Sequence, residues 1–439
     1  MIRNQLQRKL VLLASLLIFS ALSVHAQSGS TRPRRVTRQT AARTETTPKT
    51  DTLLDVEPAN AGGSATSSRR KSAGQPAPDP DTPLLSPVAS TPVAPAPGTN
   101  TTATADTSKA FALLKQKQYE AALKEAREIT STNPNDSEGW KIAGFAEMNL
   151  KQYEEASNDL QKALDLQRIA KQEDPFTVDA LATAYYLSEK FDRALPLLVT
   201  ATTRQNVKPE AITIYYRGVA EYRTGKTAEA ERTFNAIVKD NPKDAGALYF
   251  LGQMAFERND YDAAIAALNR ATLADTRSVS AWNLLTLAYL QRAAAASSPE
   301  KADADYLSAV RAGEGLTRVR TDAQANLLFA QALISAKQFP RAATVLERVA
   351  AAQDAPASAL YLLGVAQSRA NNFPKAISAL ERAASKTPED ANIYRELGYA
   401  YEISKQYAKA LSAYERGASL APTDADFKAS AERVRPYAK

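Results

Sequence analysis

The chain has 439 residues, 44 % of them hydrophobic and 23 % charged, which is typical of soluble protein. It contains no cysteine, and its single histidine is His25. Thiol nucleophiles, Ser-His-Asp triads and Cys/His zinc sites are therefore excluded after residue 26. Paired carboxylates, a lysine or an oxygen-ligated metal ion stay open, but the sequence shows no such cluster and no phosphate-binding GxxxxGKS or GxxxxGKT loop. We predict a protein that is not an enzyme and that uses no cofactor or metal.

The net charge of +7 is spread unevenly along the chain. Residues 1–26 carry three basic and no acidic side chains, and residues 27–102 carry nine basic and six acidic ones. The remaining residues have 43 basic and 42 acidic side chains, so this part is almost neutral. A nucleic-acid-binding domain needs a basic surface that neutralises phosphates. The charge distribution therefore predicts no nucleic-acid partner.

The first 26 residues have the three-part pattern of a secretory signal peptide. Three basic residues precede an uncharged run over residues 10–24, and Val24 and Ala26 occupy the −3 and −1 positions of a cleavage site before Gln27. A membrane-spanning helix needs about 20 apolar residues, more than this run provides. We predict a chain that is exported, to the periplasm or out of the cell, with membrane anchoring through residues 10–24 as the alternative.

Residues 27–102 have the composition of a disordered linker. They hold eleven of the 23 prolines, much Thr, Ser and Ala, and no aromatic residue. Such a segment buries too little apolar surface to offset its ordering entropy, and its proline-rich part, 76–97, favours an extended polyproline-like conformation. An early basic cluster has two interpretations, contact with anionic lipid or envelope polymer, or a solvated charge run. Its residues are Arg32, Arg34, Arg35, Arg38 and Arg43.

From residue 103 onward, short phrases return at a fixed interval. The segments Lys117–Ala122, Lys151–Ala156, Asn259–Ala264 and Lys405–Ala410 are similar, and they are separated by 34, 108 and 146 residues. The first separation is one 34-residue unit, and the others are three and four units plus insertions of about six and ten residues. This spacing predicts a repeat architecture with unit starts at 103, 137, 175, 211, 245, 279, 323, 357 and 391.

Numbered from these starts, three positions of the unit, called slots here, are nearly constant. Slot 8 is small in Ala110, Gly144, Ala182, Gly218, Gly252, Ala330, Gly364 and Gly398, with Thr286 as the exception. Slot 20 is alanine in Ala122, Ala156, Ala194, Ala230, Ala264, Ala342, Ala376 and Ala410. Slot 17 is aromatic in Tyr119, Tyr153, Phe191, Tyr261, Phe339, Phe373 and Tyr407, with Thr227 as the departure.

These slots resemble the tetratricopeptide repeat family over roughly 320 residues. The resemblance implies an all-α fold, a right-handed superhelical solenoid of about nine helical hairpins over 103–424, followed by a polar capping helix within 425–439. Small residues at slots 8 and 20 let the two helices of a hairpin approach closely, and the slot 17 aromatic begins the second helix. Prolines are expected to end second helices, since proline cannot continue the hydrogen-bond ladder. They are Pro134, Pro242, Pro388 and Pro422.

Three irregularities interrupt the repeat. The second unit has four extra residues near Gln167–Lys171, which predicts one additional helical turn. The sixth unit runs to 44 residues, and Ser298 and Pro299 mark a helix start inside it, so both helices of this hairpin are expected to be long. The fourth unit places Arg217 and Glu221 one turn apart, and we predict an ion pair.

The resemblance also implies a protein or peptide partner held in a concave groove lined by the first helix of each hairpin. A carboxylate clamp of the kind some members use is not expected, because Lys141 at slot 5 is followed by Phe145 at slot 9. Trp140 and Trp282 occupy slot 4, where the family packs a large apolar residue. Slots 5, 9 and 12, with the next position at the rim, give the predicted groove: Tyr186, Tyr215, Tyr222, Arg223, Tyr249, Gln253, Phe256 and Asn283.

Two functions fit these residues. The first is an interaction adaptor in a bacterial-type cell envelope, which tethers the partners of an assembly. The second is a carbohydrate or envelope-polymer binder, in which the groove aromatics stack on sugar rings. For any single groove aromatic, half-buried packing between adjacent first helices is the preferred interpretation, whereas the cluster taken together favours a binding surface.

Overall fold

The computed structural model describes residues 106–438. The expected signal segment (1–26) and the expected linker (27–102) lie outside these residues. Within them the chain forms nineteen α-helices and one short 3-10 helix, Arg435–Tyr437, with no β-strand. The α-helices are α1 Ser108–Lys115, α2 Tyr119–Thr132, α3 Ser137–Asn149, α4 Tyr153–Ile169, α5 Pro175–Leu187, α6 Phe191–Thr202, α7 Ala211–Arg223, α8 Thr227–Asp240, α9 Ala245–Glu257, α10 Tyr261–Ala274, α11 Val279–Ala295, α12 Pro299–Val319, α13 Ala323–Ser335, α14 Phe339–Ala350, α15 Ala357–Arg369, α16 Phe373–Lys386, α17 Ala391–Ile403, α18 Tyr407–Leu420 and α19 Ala425–Val434.

The helices α1–α18 form nine hairpins, in which an odd-numbered first helix packs against the even-numbered second helix that follows it. Each second helix then packs against the first helix of the next hairpin, so neighbours in sequence are neighbours in space. This one-dimensional stacking is a tetratricopeptide-like solenoid, and the predicted fold class is confirmed. The last helix, α19, buries Phe427, Ala431 and Val434 against the stack and exposes Lys428 and Glu432.

Close packing inside each hairpin depends on the small residues at slots 8 and 20. A Cβ atom added to Gly252 would lie 2.6 Å from Leu268 Cγ, and one added to Gly144 would lie 2.5 Å from Leu160 Cγ. Larger side chains at these points would push the second helix away, because helices pack by fitting the ridges of one into the grooves of the other. The alanines of slot 20 are all fully buried: Ala122, Ala156, Ala194, Ala230, Ala264, Ala342, Ala376 and Ala410.

Each turn between the two helices of a regular hairpin has one residue in the left-handed region, at slot 15. A residue with positive φ just beyond the helix end is the common way to stop a helix, and glycine adopts it with least strain. Glycine occupies this slot once, at Gly225, where φ is 77°. The other turns place a side chain there, with φ between 59° and 64°: Lys117, Lys151, Glu189, Asn259, Lys337, Asn371 and Lys405.

A recurring side-chain contact sets the register between neighbouring hairpins. It joins slot 25, on a second helix, to slot 11, on the next first helix. The Tyr185 hydroxyl donates to Gln161 Oε1 at 3.0 Å, and the Gln367 amide donates to Glu347 Oε1 at 3.0 Å. Since buried polar groups must find partners, a slipped stack would leave these groups unsatisfied. Other pairs of the set are Arg127–Glu147, Asn269–Tyr289 and Glu381–Tyr401.

The irregular units follow the sequence predictions. Helix α4 has 17 residues, whereas α8 has 14, which confirms the additional turn. Helices α11 and α12 have 17 and 21 residues, and the Ser298 hydroxyl caps α12 by accepting from the Lys301 amide at 3.4 Å. The Arg292 guanidinium pairs with Asp305 on α12, within this long hairpin, and with Asp262 on α10 of the preceding hairpin, each at 2.6 Å.

The slot 4 tryptophans tie the hairpins to the loops that precede them. Trp140 Nε1 donates to the Pro134 carbonyl oxygen, and Trp282 Nε1 donates to the Thr276 carbonyl oxygen, each at 2.9 Å. Pro134 follows α2 by two residues, and the other three predicted prolines follow their helices in the same way. The expectation that these prolines follow the second helices is confirmed. Among residues 106–438, no helix combines the length and the apolar character needed to span a bilayer.

Candidate functional site

Successive first helices lie in direct proximity, or, between α7 and α9, are linked by the Tyr222–Gln253 hydrogen bond, so they form a continuous surface, called here the first-helix face. The predicted groove residues lie at slots 5, 9 and 12, which share one side of a helix because they are three or four residues apart. The helix pairs in direct backbone proximity are α1–α3, α3–α5, α5–α7, α9–α11, α11–α13, α13–α15 and α15–α17.

Between α5 and α7 the first-helix face presents aromatic side chains and one arginine. The ring of Tyr186 stacks on that of Tyr216 at 4.0 Å and meets the Phe191 ring edge-on at 5.7 Å. The exposed Arg223 guanidinium lies 5.7 Å from the centre of the Phe191 ring. Burial, and then the neighbouring Tyr216, raise the pKa of Tyr186, so its hydroxyl stays protonated and able to donate.

Between α7 and α9 the two helices are bridged by a polar network instead. The Tyr222 hydroxyl donates to Glu257 Oε1, and Gln253 Nε2 lies 2.8 Å from the Tyr222 hydroxyl oxygen and 3.2 Å from Glu257 Oε1. Burial and this carboxylate raise the pKa of Tyr222. Glu257 at the rim therefore orients the Tyr222 ring, which packs edge-on with Phe250 at 5.5 Å between ring centres.

Tyr249 and Asn283 continue the surface onto α9 and α11. Tyr249 is half-buried, and its ring meets Phe250 edge-on at 5.4 Å. Asn283, also half-buried, lies at the same slot of the next first helix. Because α9 and α11 are in direct contact, these side chains extend the surface by one further hairpin.

Two residues of the predicted groove lie in the interior instead. Tyr215 is 6 % exposed, packs among Phe234 and Phe250, and covers Gly246, where an added Cβ would lie 2.7 Å from the Tyr215 ring. Phe256 is 8 % exposed. A buried ring offers no surface to a partner, so these two residues are assigned to packing. The remaining six define what we call the tyrosine strip: Tyr186, Tyr222, Arg223, Tyr249, Gln253 and Asn283.

The tyrosine strip carries unused hydrogen-bond donors. Within residues 106–438, neither the Tyr186 hydroxyl nor the Asn283 amide has a hydrogen-bond partner, and Arg223 has no ion pair there. By contrast, the slot 5 lysine nearer the N-terminus, Lys141, is fully engaged, with Asp174 at 3.2 Å and Glu138 at 2.7 Å. Free donors beside half-exposed rings are suited to binding a chain with accessible carbonyl oxygens.

Two ionic clusters lie away from the strip. The predicted pair Arg217–Glu221 is present at 2.7 Å, and the Thr233 hydroxyl donates to the same carboxylate at 2.6 Å. The second cluster was not predicted, because its members come from three helices. In it, Arg127 contacts Glu147 at 2.6 Å and Asp159 at 2.9 Å. Both are small structural networks.

The part of the chain that the structure describes holds no group of three His, Cys, Asp or Glu residues arranged for a metal ion.

The sequence matches the tetratricopeptide repeat profiles over residues 142–169, 180–278 and 327–425. The chain belongs to the tetratricopeptide repeat family. No curated protein sequence matches it.

Several solved structures are similar to this chain. MamA 41-end from Desulfovibrio magneticus RS-1 is 22 % identical over 41 % of this chain and 96 % of its own, with a TM-score of 0.36. The human IFIT1 dimer with m7Gppp-AAAA is 17 % identical over 72 % of this chain and 80 % of its own, with a TM-score of 0.35. TTC0263, a thermophilic tetratricopeptide repeat protein from Thermus thermophilus, is 19 % identical over 44 % of this chain and 98 % of its own, with a TM-score of 0.30.

The tetratricopeptide repeat is typically a non-catalytic scaffold that binds protein or peptide partners. Fold does not fix function, so the assignment of a function to this member depends on its particular surface. The tyrosine strip spans four consecutive hairpins and combines the rings of Tyr186, Tyr222 and Tyr249 with unpaired donors at Tyr186 and Asn283. It is therefore the candidate binding surface.

Proposed function

We propose that this protein is a non-enzymatic adaptor of a bacterial-type cell envelope, which holds a protein or peptide partner on the tyrosine strip. The observation that carries the proposal is the continuity of the strip over α5, α7, α9 and α11. Tyrosine and arginine are the residues most often found as energetic anchors of interfaces, because they combine large contact area with hydrogen bonding at low entropy cost.

The location in the proposal derives from the sequence. The segment 1–26 has the pattern of a signal peptide, and 27–102 has the composition of a linker. Together they support an exported solenoid held at the end of a long spacer. Retention of residues 10–24 as a membrane anchor is the alternative, and it would place the same binding surface at a membrane.

A second candidate function is binding of a carbohydrate or other envelope polymer. Half-exposed rings at Tyr186, Tyr222 and Tyr249, with the amides of Gln253 and Asn283 beside them, resemble the combination that recognises sugar faces and hydroxyls. This function uses the same strip and differs only in the chemistry of the ligand.

The test is affinity capture from envelope extracts of the source cells, with the full chain as bait and quantitative mass spectrometry as readout. Tyr186→Ala, Tyr222→Ala and Tyr249→Ala should each weaken capture of the proteins bound by wild type, by about fivefold or more, since about 1 kcal/mol per anchor is typical. Tyr119→Ala and Tyr407→Ala, at hairpin turns, are the matched controls. Circular dichroism confirms that helicity is kept.

Two outcomes would redirect the proposal. Capture that is unchanged in all three strip variants places the binding surface elsewhere. Capture that is abolished by glycosidase treatment of the extract favours the polymer-binding function over the adaptor.

A further inference from the structure

We propose that the tyrosine strip is occupied, in the absence of a partner, by the chain's own proline-rich segment 76–97. The inference concerns the same surface as the proposed function and rests on it for its biological meaning, since a partner must then displace the segment. The chemistry of the strip, the charge of the segment and the length of chain that connects them support the docking.

The chemistry of the strip suits an extended proline-rich chain. Eight of the 22 residues in 76–97 are proline, which fixes φ and favours the polyproline II conformation. That conformation has no internal hydrogen bonds, so its carbonyl oxygens are free to accept, and it loses little entropy on binding. Aromatic-lined surfaces with side-chain donors are the usual receptors for such chains. The strip offers half-buried rings at Tyr186, Tyr222 and Tyr249, with unpaired donors at Tyr186 and Asn283.

The charges of segment 76–97 and of the tyrosine strip are complementary. The only charged residues in 76–97 are Asp79 and Asp81, and no basic residue lies among them. Arg223 is exposed on the strip, without an ion pair among residues 106–438, and its guanidinium is already held over the Phe191 ring at 5.7 Å. A carboxylate that docks beside this guanidinium would orient the segment along the strip, which fixes direction more than it adds affinity.

The connecting chain is long enough. Nine residue steps separate Pro97 from Asp106, where the described structure begins, and they span up to about 30 Å when extended. First helices packed about 10 Å apart place α5 about 20 Å from α1. The strip then continues for three more first helices, about 30 Å, whereas 22 residues of polyproline II extend about 68 Å. The segment therefore reaches the whole strip with slack.

Tethering makes weak docking sufficient. A flexible connection of this length gives an effective concentration on the order of millimolar, so a segment that binds in trans with a millimolar dissociation constant would still occupy the strip about half of the time. An external partner would need to compete with it, and its apparent affinity would be lowered by the free fraction of the strip. The segment thus acts as a built-in competitor.

The test uses the absence of native cysteine, which allows clean disulfide trapping in the full chain. Ser90→Cys, in the segment, is combined with Ser280→Cys, at slot 2 of α11 beside the strip. The matched control combines Ser90→Cys with Ala236→Cys, exposed on the second helix α8. Under mild oxidation, the strip pair should form the intramolecular disulfide at least fivefold faster than the control pair. Equal rates would overturn the proposal.

A second set of variants separates docking from folding. Pro87→Ser, Pro92→Ser and Pro95→Ser combined should lower the trapping rate to the control level, because they remove the polyproline preference without touching the hairpins. Pro33→Ser, Pro48→Ser and Pro58→Ser combined should leave it unchanged. If the three substitutions in the segment leave the trapping rate unchanged, docking through the prolines is contradicted. Disulfide-linked dimers that increase with protein concentration would show that a second copy supplies the segment, and this would overturn the intramolecular assignment.

Failure here is distinguishable from failure of the proposed function. Trapping requires no external partner, so equal trapping rates leave the capture experiment valid. Conversely, if the strip substitutions do not change the capture of partners, disulfide trapping still reports whether the segment lies on the strip.

Discussion

Two junctions near opposite ends of the solenoid bury a glutamate against an arginine, but they differ in how the negative charge is balanced. Between the eighth and ninth hairpins, Glu396 is 3 % exposed and receives both arms of Arg369, at 3.0 and 3.1 Å. Between the first and second hairpins, Glu147 is 1 % exposed, but its partner Arg127 is shared with Asp159. One junction has one acid per arginine, and the other has two.

The charge ratio decides the protonation state. Burial, and then repulsion from Asp159, raise the pKa of Glu147 to about 7, and burial also raises the pKa of Asp159. Glu147 Oε2 is buried without a hydrogen-bond partner, whereas Asp159 Oδ2 lies 2.9 Å from Arg127 Nη1. A proton shared by the two carboxyls relieves their repulsion, as in other closely spaced acid pairs. The comparison shows that a second buried acid, sharing one arginine with the first, raises the pKa of Glu147 and makes the stability of this junction pH-dependent.

The largest effect is expected from removal of the arginine at the matched junction. Arg369→Ala leaves Glu396 buried without its counter-ion, and breaking a buried pair in this way typically costs about 3–5 kcal/mol. Denaturant unfolding should show the loss, and hydrogen exchange should localise it to α15–α18. Arg318→Ala is the control, because Arg318 is exposed and has no ion pair among the described residues. Equal losses for both variants would mean that the pair contributes nothing specific.

The unmatched junction predicts a stabilising substitution. The pKa of Glu147 is about 7 in the folded protein and 4.5 in the unfolded chain, so the folded state binds this proton more tightly. The free energy of unfolding therefore falls as pH rises from about 4.5 to about 7. Glu147→Gln keeps an acceptor for Arg127 and a donor for Asp159 without the charge. It should stabilise the protein by about 2 kcal/mol at pH 8 and by much less at pH 4.5. Denaturant titrations at the two pH values measure this; a pH-independent difference would refute the shared proton.

Packing, unlike charge, should behave alike at the two ends. Ala156 and Ala376 occupy slot 20 of the second and eighth hairpins, and both are fully buried. Ala156→Leu and Ala376→Leu should each cost about 1–3 kcal/mol through overpacking. Ala121→Leu, on the exposed side of α2, is the control and should be nearly neutral. Midpoints of thermal unfolding that are equal for inner and outer substitutions would mean that the repeat register is wrong.

The smallest effects are expected at the hairpin turns. Lys151 and Lys405 have φ values of 62° and 59°, a region that costs a non-glycine residue about 1 kcal/mol. Lys151→Gly and Lys405→Gly should stabilise by about 0.5 kcal/mol, because relief of this strain is partly offset by the entropy of glycine in the unfolded chain. Gly225→Ala is the reciprocal test and should destabilise, since its neighbourhood is open and only φ is unfavourable. Unfolding midpoints that do not move in opposite directions would contradict this account.

Local patterns in the sequence were sufficient for the hairpins. Slots 8, 17 and 20 placed the helices, Ser298 and Pro299 marked the start of α12, and the spacing of Arg217 and Glu221 predicted their ion pair. Each of these features depends on residues within one hairpin, where helix geometry alone fixes which side chains meet. The slot 15 turns also lay within reach of the sequence, although only Gly225 carries the usual glycine signal.

The exposure of the predicted groove was decided by the tertiary structure. Tyr215 and Tyr249 both occupy slot 5, yet Tyr215 is buried and Tyr249 is half-exposed. The difference arises in the following hairpin, where Gly246 leaves room for the Tyr215 ring to fold inward. The sharing of Arg127 by Glu147 and Asp159 likewise requires three helices in contact. The sequence thus determined the repeat and its phase, whereas accessibility and ionisation depend on neighbours that only the stacking of hairpins brings together.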